Sequence, residues 1–97
     1  MQAADPVKTI DIRSWPEGCI IELNGEYLGT TPIELVVNST QGGNWTREYG
    51  VFRPITIRAS ARDSGRWEEK LWWPGDRIPS RILFRPPGGQ PAPLAFN

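Results

Sequence analysis

The fold is decided by a segment in which short apolar runs alternate with turn residues. It reads Ile12-Arg13-Ser14-Trp15-Pro16-Glu17-Gly18-Cys19-Ile20-Ile21-Glu22-Leu23-Asn24-Gly25 and, three residues later, Gly29-Thr30-Thr31-Pro32-Ile33-Glu34-Leu35. Asn24-Gly25 predicts a tight hairpin, because a type I′ turn needs a positive φ at both central residues. Pro16 and Gly18 predict a second turn, and Pro32 separates two strands because proline has no N–H to donate to a sheet. The segment therefore predicts short strands joined by tight turns.

The remaining sequence continues the alternation of half-buried strands, in which every second side chain is apolar. The clearest example has Ile55, Ile57 and Ala59 on one face. The predicted strands are Thr9–Ser14, Cys19–Leu23, Glu26–Leu28, Ile33–Val37, Ile55–Ala59, Arg66–Trp73 and Arg81–Phe84. Ten glycines and ten prolines punctuate the 97 residues, and no stretch shows an apolar face at helical spacing. The chain is thus predicted to be all-β, with about seven short strands in a small sandwich or barrel.

The spacing of the turn residues resembles the PEGA domain family. In that family a strand ends in Ser-x-Pro-Glu-Gly-Ala, a strand and an Asn/Asp-Gly turn follow, and Gly-x-Thr-Pro starts the next strand. This chain carries the pattern at Ser14, Pro16, Glu17, Gly18, Asn24, Gly25, Gly29, Thr31 and Pro32. Cys19 stands where the family has alanine, which keeps a small side chain there. The match is close over residues 10–37 and looser beyond them, and it implies a two-sheet β-sandwich of the transthyretin or carboxypeptidase-regulatory kind.

The composition divides the chain into three parts. Residues 1–8 are expected to form a flexible N-terminal segment, and residues 9–85 the PEGA-like sandwich. Residues 86–97 are rich in proline and glycine, which predicts an extended tail or linker. Within the sandwich, Asn38–Gly50 is polar and is expected to be a long loop. Loops of this length in compact domains often carry function.

The residue content argues against an enzyme. The chain contains no histidine, the commonest general base and metal ligand. Cys19 lies on a predicted inward face, so we expect a buried thiol and not a nucleophile. Glu68 and Glu69 are neighbours in a strand and point to opposite faces, so they do not form a carboxylate pair. We therefore expect no catalytic activity, no cofactor and no metal site.

The five tryptophans are the most unusual feature of the composition. We expect Trp67 and Trp73 to fill the core, and Trp72 to be at least partly exposed because it faces the opposite side from Trp73. Aromatic side chains next to arginines can stack on sugars, bases or a partner protein. The candidate binding surface predicted in this way consists of Trp45, Tyr49, Trp72, Arg53 and Arg58.

The resemblance implies a building block of exported or membrane-anchored proteins of the bacterial or archaeal cell envelope, without assigned catalytic residues. The leading hypothesis is a non-catalytic interaction or spacer module of an extracytoplasmic protein, in contact with a partner protein or with neighbouring domains. Its sheet edges offer a way to bind a partner strand. The chain shows neither a signal peptide nor a membrane-spanning segment, so we expect no direct membrane insertion by this segment.

Two other functions remain open at this stage. The first is binding of a cell-wall glycan through Trp45, Tyr49 and Trp72. The second is an OB-like barrel that binds single-stranded nucleic acid, which the formal net charge of zero disfavours. Because each motif residue has a turn or packing role, we expect any specific function to lie in the long loop and in the tryptophan-bearing strand.

Overall fold

The fold is a sandwich of two β-sheets. The computed structural model describes residues 6–86. Its elements are β1 (Val7–Ser14), β2 (Ile20–Leu23), β3 (Glu26–Thr30), β4 (Ile33–Asn38), a 3₁₀ turn (Arg47–Tyr49), β5 (Ile55–Ser60), β6 (Trp67–Trp72) and β7 (Arg81–Phe84). One sheet has the strand order β4-β1-β7 and the other the order β3-β2-β5-β6. The prediction of an all-β sandwich with seven strands is confirmed.

The strand register defines the two ends of the sandwich. β1 pairs with β4 in antiparallel fashion and with β7 in parallel fashion. In the second sheet, β2 lies between β3 and β5, and β6 forms the edge beyond β5, all antiparallel. The turn between β1 and β2 therefore lies at one end, which we call the motif end. The β2–β3 hairpin and the loop before β5 lie at the other end, which we call the loop end.

The core lies between the sheets and is built by the predicted alternation. Ile10 and Ile12 of β1 are fully buried, as are Ile55, Ile57 and Ala59 of β5. The other buried apolar residues are Cys19, Ile21, Leu23, Val37, Trp45, Ala61, Ile78, Ile82 and Phe84. These side chains form one continuous cluster. The inward faces predicted for β1, β2 and β5 are thereby confirmed.

The Pro16-Glu17-Gly18 motif is held together by a buried hydroxyl at the motif end. The hydroxyl of Thr31, which is 4% exposed, accepts hydrogen bonds from the backbone N–H groups of Gly18 at 3.0 Å and Cys19 at 2.9 Å. It also hydrogen-bonds to the hydroxyl of Ser14, which in turn donates to the carbonyl of Pro16 at 2.7 Å. The motif residues therefore join the turn before β2 to the turn before β4. We call this set, with Ser14, Pro16, Gly18, Cys19 and Thr31, the motif network.

The β2–β3 hairpin confirms the turn predicted from Asn24-Gly25. Both residues have a positive φ, 51° and 85°. The Asn24 side chain accepts a hydrogen bond from the N–H of Thr56 at 2.9 Å and donates one to the carbonyl of Tyr49 at 2.6 Å. The hairpin is thus attached to β5 and to the long loop.

The predicted boundaries need two corrections. β1 begins at Val7, within the N-terminal segment predicted for residues 1–8, because Val7 and Lys8 pair with the end of β4. Pro86, predicted as the start of the tail, has a fully buried side chain and belongs to the packed domain. The rest of the predicted tail, residues 87–97, and residues 1–5 lie outside the described part of the chain.

The prediction for β6 assigned its two faces the wrong way round. Trp67 and Trp73, expected in the core, are 48% and 49% exposed. The half-buried Trp72 packs against the core instead. The register explains this, because Trp72 pairs with Ile55, and Lys70 with Ile57, both of them buried residues of β5. A shift of one residue in a strand moves every side chain to the other face.

Candidate interaction surface

The three aromatic residues of the predicted binding surface meet in the interior. Trp45 is 1% exposed, although its loop is polar. Its ring centroid lies 5.7 Å from that of Tyr49 in a T-shaped contact and 5.6 Å from that of Trp72. Tyr49 and Trp72 are partly buried and pack against the core. We call these three residues the aromatic cluster, and the prediction that Trp45 lies on a binding surface is wrong.

Backbone pairing explains why Trp45 is buried. Trp45 donates its N–H to the carbonyl of Asp76 and accepts at its own carbonyl from Gly75, both at 2.9 Å. Bridges between Ser39 and Trp45 and between Asn44 and Arg77 extend this pairing. The long loop is therefore folded against the turn after β6, and its one tryptophan is directed into the core.

Tyr49 anchors the second half of the same loop. Its hydroxyl accepts a hydrogen bond from the N–H of Asn38 at 2.9 Å, and its carbonyl accepts one from Asn24. The ring and the hydroxyl of Tyr49 are thus both engaged in internal contacts. Tyr49 therefore holds the loop in place.

The two arginines of the predicted surface lie apart. Arg58 is on the outer face of β5, with its Nε 3.3 Å from a carboxylate oxygen of Glu69 and its guanidinium 4.0 Å from the centre of the Trp67 ring. Arg53 is exposed in the loop before β5. The five predicted residues therefore do not form one surface. Trp45 and Trp72 pack toward the core and Arg58 lies on the outer face of β5, while Tyr49 and Arg53 line a common cleft.

An exposed apolar surface lies at the loop end instead. Phe52 is 97% exposed, and Val51 and Trp73 are 57% and 49% exposed. We call this surface the loop-tip patch, and it consists of Arg47, Val51, Phe52, Arg53, Trp73 and Pro74. A phenylalanine so fully in water, beside further apolar side chains, makes this patch a candidate contact site.

Two clefts flank Phe52. One, of about 380 Å³, is lined by Arg47, Val51, Phe52, Trp73 and Pro74. The other, of about 350 Å³, is lined by Asn24 and by the loop residues from Arg47 to Arg53. Arg47, Val51 and Phe52 line both clefts, so they form the ridge between them.

Two arginines and two acidic side chains lie in or beside the loop-tip patch. The carboxylate of Glu48 accepts hydrogen bonds from the side-chain amide of Asn38, at 3.1 Å to each oxygen. Asp76 accepts one from the N–H of Trp73 at 2.7 Å. Among residues 6–86, neither Arg47 nor Arg53 forms an ion pair. Both acidic side chains keep their charge, and the two guanidinium groups, which have no ion-pair partner among the described residues, face solvent.

Sequence reasoning missed most of this patch. Of its six residues, only Arg53 belonged to the predicted surface. The signal that pointed to it is the apolar pair Val51-Phe52, which lies in a segment without a predicted strand. Trp73 was assigned to the core through the wrong face of β6.

The remaining chemistry of the domain is structural. The thiol of Cys19 is buried, as predicted, and lies 3.3 Å from the carbonyl of Pro16. Within the described residues, no group of three or more Cys, Asp and Glu side chains is arranged to hold a metal ion. The part of the chain from residue 6 to 86 contains no helix of the length and apolarity needed to span a bilayer.

Comparison with known proteins gives one match. Searches of curated proteins and of solved structures found no similar protein. The model of the PEGA domain family matches residues 7–43, which cover β1 to β4 and the start of the long loop. Such a match suggests a module of the extracellular type. The resemblance seen in the Pro16-Glu17-Gly18 motif is therefore confirmed, and residues 7–43 carry the PEGA domain pattern.

Proposed function

We propose that this chain is a non-catalytic interaction module that makes protein–protein contacts in an extracytoplasmic, cell-envelope protein. The observation that carries the proposal is the loop-tip patch, with Phe52 97% exposed between two clefts. The PEGA match over residues 7–43 supports the cellular location. The lack of histidine in the chain supports a role in binding over a role in catalysis.

The composition of the patch is that of a protein contact. Aromatic residues and arginine are enriched at protein interfaces, and a few of them carry most of the binding energy. Burying the side chain of Phe52 alone would contribute about 1.5–3 kcal/mol. We therefore expect a contact that relies on Phe52 as its anchor.

The edges of the four-stranded sheet are less suited to binding than the patch. At the edge strand β6, Glu68 and Lys70 point toward the inner face, where they form an ion pair at 3.3 Å. At the other edge of the same sheet, the pairing of β2 with β3 is irregular between Ile21 and Glu22. Inward charges and bulges are two devices that keep further strands from pairing with an edge. The proposed contact therefore uses the side chains at the loop end and not strand addition.

The two other functions have no comparable support. The residues proposed for glycan binding, Trp45, Tyr49 and Trp72, form the internal aromatic cluster. Nucleic-acid binding was linked to a barrel, whereas the strands form two separate sheets in a chain of zero net charge.

Site-specific photo-cross-linking tests the proposal. The photoreactive residue p-benzoylphenylalanine replaces Phe52 in the native cells, and the adducts are identified by mass spectrometry. The matched control replaces Trp15, which is also aromatic and 68% exposed but lies at the motif end. We expect protein adducts from position 52 and few from position 15. Absence of protein adducts at position 52, or equal yields at both positions, would contradict the proposal.

A further inference from the structure

We propose that the partner of the loop-tip patch is an extended, acidic protein segment. It would place an apolar side chain against Trp73 and Pro74, and a carboxylate against Arg47 and Arg53. This inference rests on the proposed function and adds to it the chemistry of the partner.

The two clefts differ in the groups that line them. The cleft on one side of Phe52 is walled by Val51, Trp73 and Pro74, and so offers mainly apolar surface. The cleft on the other side contains Arg53. Arg47 lines both. A ligand that crosses Phe52 therefore contacts mainly apolar surface in the first cleft and Arg53 in the second.

The arginines are in excess among the charged side chains of the second cleft. Asn24 also lines it, but both ends of its amide are used by Thr56 and Tyr49. Glu48 accepts hydrogen bonds from Asn38 and remains charged, so the cleft is lined by two guanidinium groups and one carboxylate. Guanidinium groups bind carboxylates through short, charge-assisted and often paired hydrogen bonds. Charge complementarity therefore selects a carboxylate as the polar group of the ligand.

The size of the clefts favours a chain segment over a folded surface. Volumes of about 350 and 380 Å³ lie at the lower end of the range of ligand pockets, about 300–1,000 Å³. Each cleft thus has room for one or two side chains. Phe52 protrudes between them, so a flat partner surface would leave both clefts unfilled.

An anionic membrane surface is the other ligand that combines apolar and negative groups. Such surfaces attract proteins with about 1 kcal/mol for each nearby Lys or Arg, and stable binding uses clusters of several. The loop-tip patch has two arginines on a chain of zero net charge. Two arginines are therefore enough to bind one carboxylate but too few for stable binding to a bilayer.

Peptide selection followed by affinity measurement tests the inference. The probe is a displayed library of random short peptides, selected on the immobilised full chain, and the selected peptides are then synthesised and titrated. We expect the selected sequences to combine Asp or Glu with a nearby aromatic or aliphatic residue. Binding should weaken at high salt, because exposed charges are screened.

Three variants test the assigned residues. Arg47→Gln and Arg53→Gln should each weaken binding about fivefold, the size expected of an exposed ion pair, and Phe52→Ser should abolish it. The matched control is Arg13→Gln, which removes an exposed arginine of β1 that is paired with Asp11. Arg13→Gln should leave the affinity unchanged.

Each other outcome overturns the inference in a distinguishable way. Selected peptides without acidic residues, or unchanged binding by Arg47→Gln and Arg53→Gln, would refute the acidic partner, while protein adducts at position 52 would preserve the proposed function. Self-association that is lost in Phe52→Ser, without peptide binding, would identify a second copy of the chain as the partner. Binding of phosphatidylglycerol vesicles that depends on Phe52, without protein adducts, would refute both proposals.

Discussion

Substitution of Thr31 by valine removes one buried hydroxyl and leaves the side chain nearly unchanged in size. The hydroxyl accepts the N–H groups of Gly18 and Cys19 and bonds to the hydroxyl of Ser14. After the substitution, Gly18 retains a hydrogen bond to the carbonyl of Thr31 at 3.1 Å, and Ser14 retains one to Pro16. Cys19, which is 1% exposed, loses the acceptor of its N–H. The variant therefore leaves one buried backbone N–H without an acceptor.

The expected loss of stability follows from this one N–H group. A buried donor without a partner lowers stability by about 1–3 kcal/mol, and we expect about 2 kcal/mol for Thr31→Val. For a domain of this size, such a loss lowers Tm by about 8–16 °C. The midpoint of urea unfolding should fall while the slope m stays the same, because the folded and unfolded chains expose the same surface as before.

Two further variants separate the contribution of the hydroxyl from that of the rest of the side chain. Thr9→Val makes the same substitution on the exposed face of β1 and should change the free energy of unfolding by less than about 0.5 kcal/mol. Thr31→Ser keeps the hydroxyl and removes one methyl, so it should cost about 1 kcal/mol. Equal losses from Thr31→Val and Thr9→Val, or a larger loss from Thr31→Ser than from Thr31→Val, would refute the role of the motif network.

Three more substitutions test other parts of the fold by urea unfolding. Trp45→Ala should lower the free energy of unfolding by about 3–5 kcal/mol because the ring is buried in the aromatic cluster. A similar loss from substitution of the exposed Trp15 by alanine would contradict this. Glu68→Ala should cost about 1 kcal/mol, because it removes the acceptor of the Arg85 N–H at 2.7 Å and the partner of Lys70. Glu69→Ala removes only the pair with Arg58, so an equal loss from it would argue against the link to Arg85. Gly25→Ala should cost about 1 kcal/mol through backbone strain alone, since φ is +85° and a Cβ meets no atom within 4 Å. Gly25→Asn should be milder, and an equal cost would speak against strain as the cause.

The local pattern predicted the parts of the fold that depend on neighbouring residues. Alternation gave the inward faces of β1 and β5, and Asn24-Gly25 gave the hairpin, because both depend on backbone geometry within a few residues. The motif spacing gave the family resemblance. The hydrogen bonds of Thr31 to a turn about a dozen residues earlier give that spacing its physical reason.

The errors arose where distant pairing decides the outcome. Alternation divides the side chains of β6 between two faces, but it does not show which face points to the core. Because Trp67 and Trp73 are large and apolar, the prediction placed their face inside, which was wrong. The inner face contains Glu68 and Lys70, which satisfy each other and the N–H of Arg85 close to β7. Trp45 was misplaced for a related reason, since its burial depends on pairing with Asp76, 31 residues later.

These corrections moved the candidate site from the long loop, Asn38–Gly50, to the residues that follow it and to the end of β6. The aromatic residues of that loop that were predicted to bind, Trp45 and Tyr49, hold the loop in place. By doing so they present Val51 and Phe52 to solvent at the loop end. The motif network and the aromatic cluster build and position the domain, and the loop-tip patch makes the proposed contact.

That separation of folding from contact is the central claim, and the variant Phe52→Ser tests it most directly. The measurement is the free energy of urea unfolding together with the affinity for the protein that cross-links at position 52, both on the same preparation. Because Phe52 is 97% exposed, we expect unfolding to change by less than about 0.5 kcal/mol while the binding is lost. Loss of stability together with binding, or binding at the affinity of the unsubstituted chain, would contradict the claim.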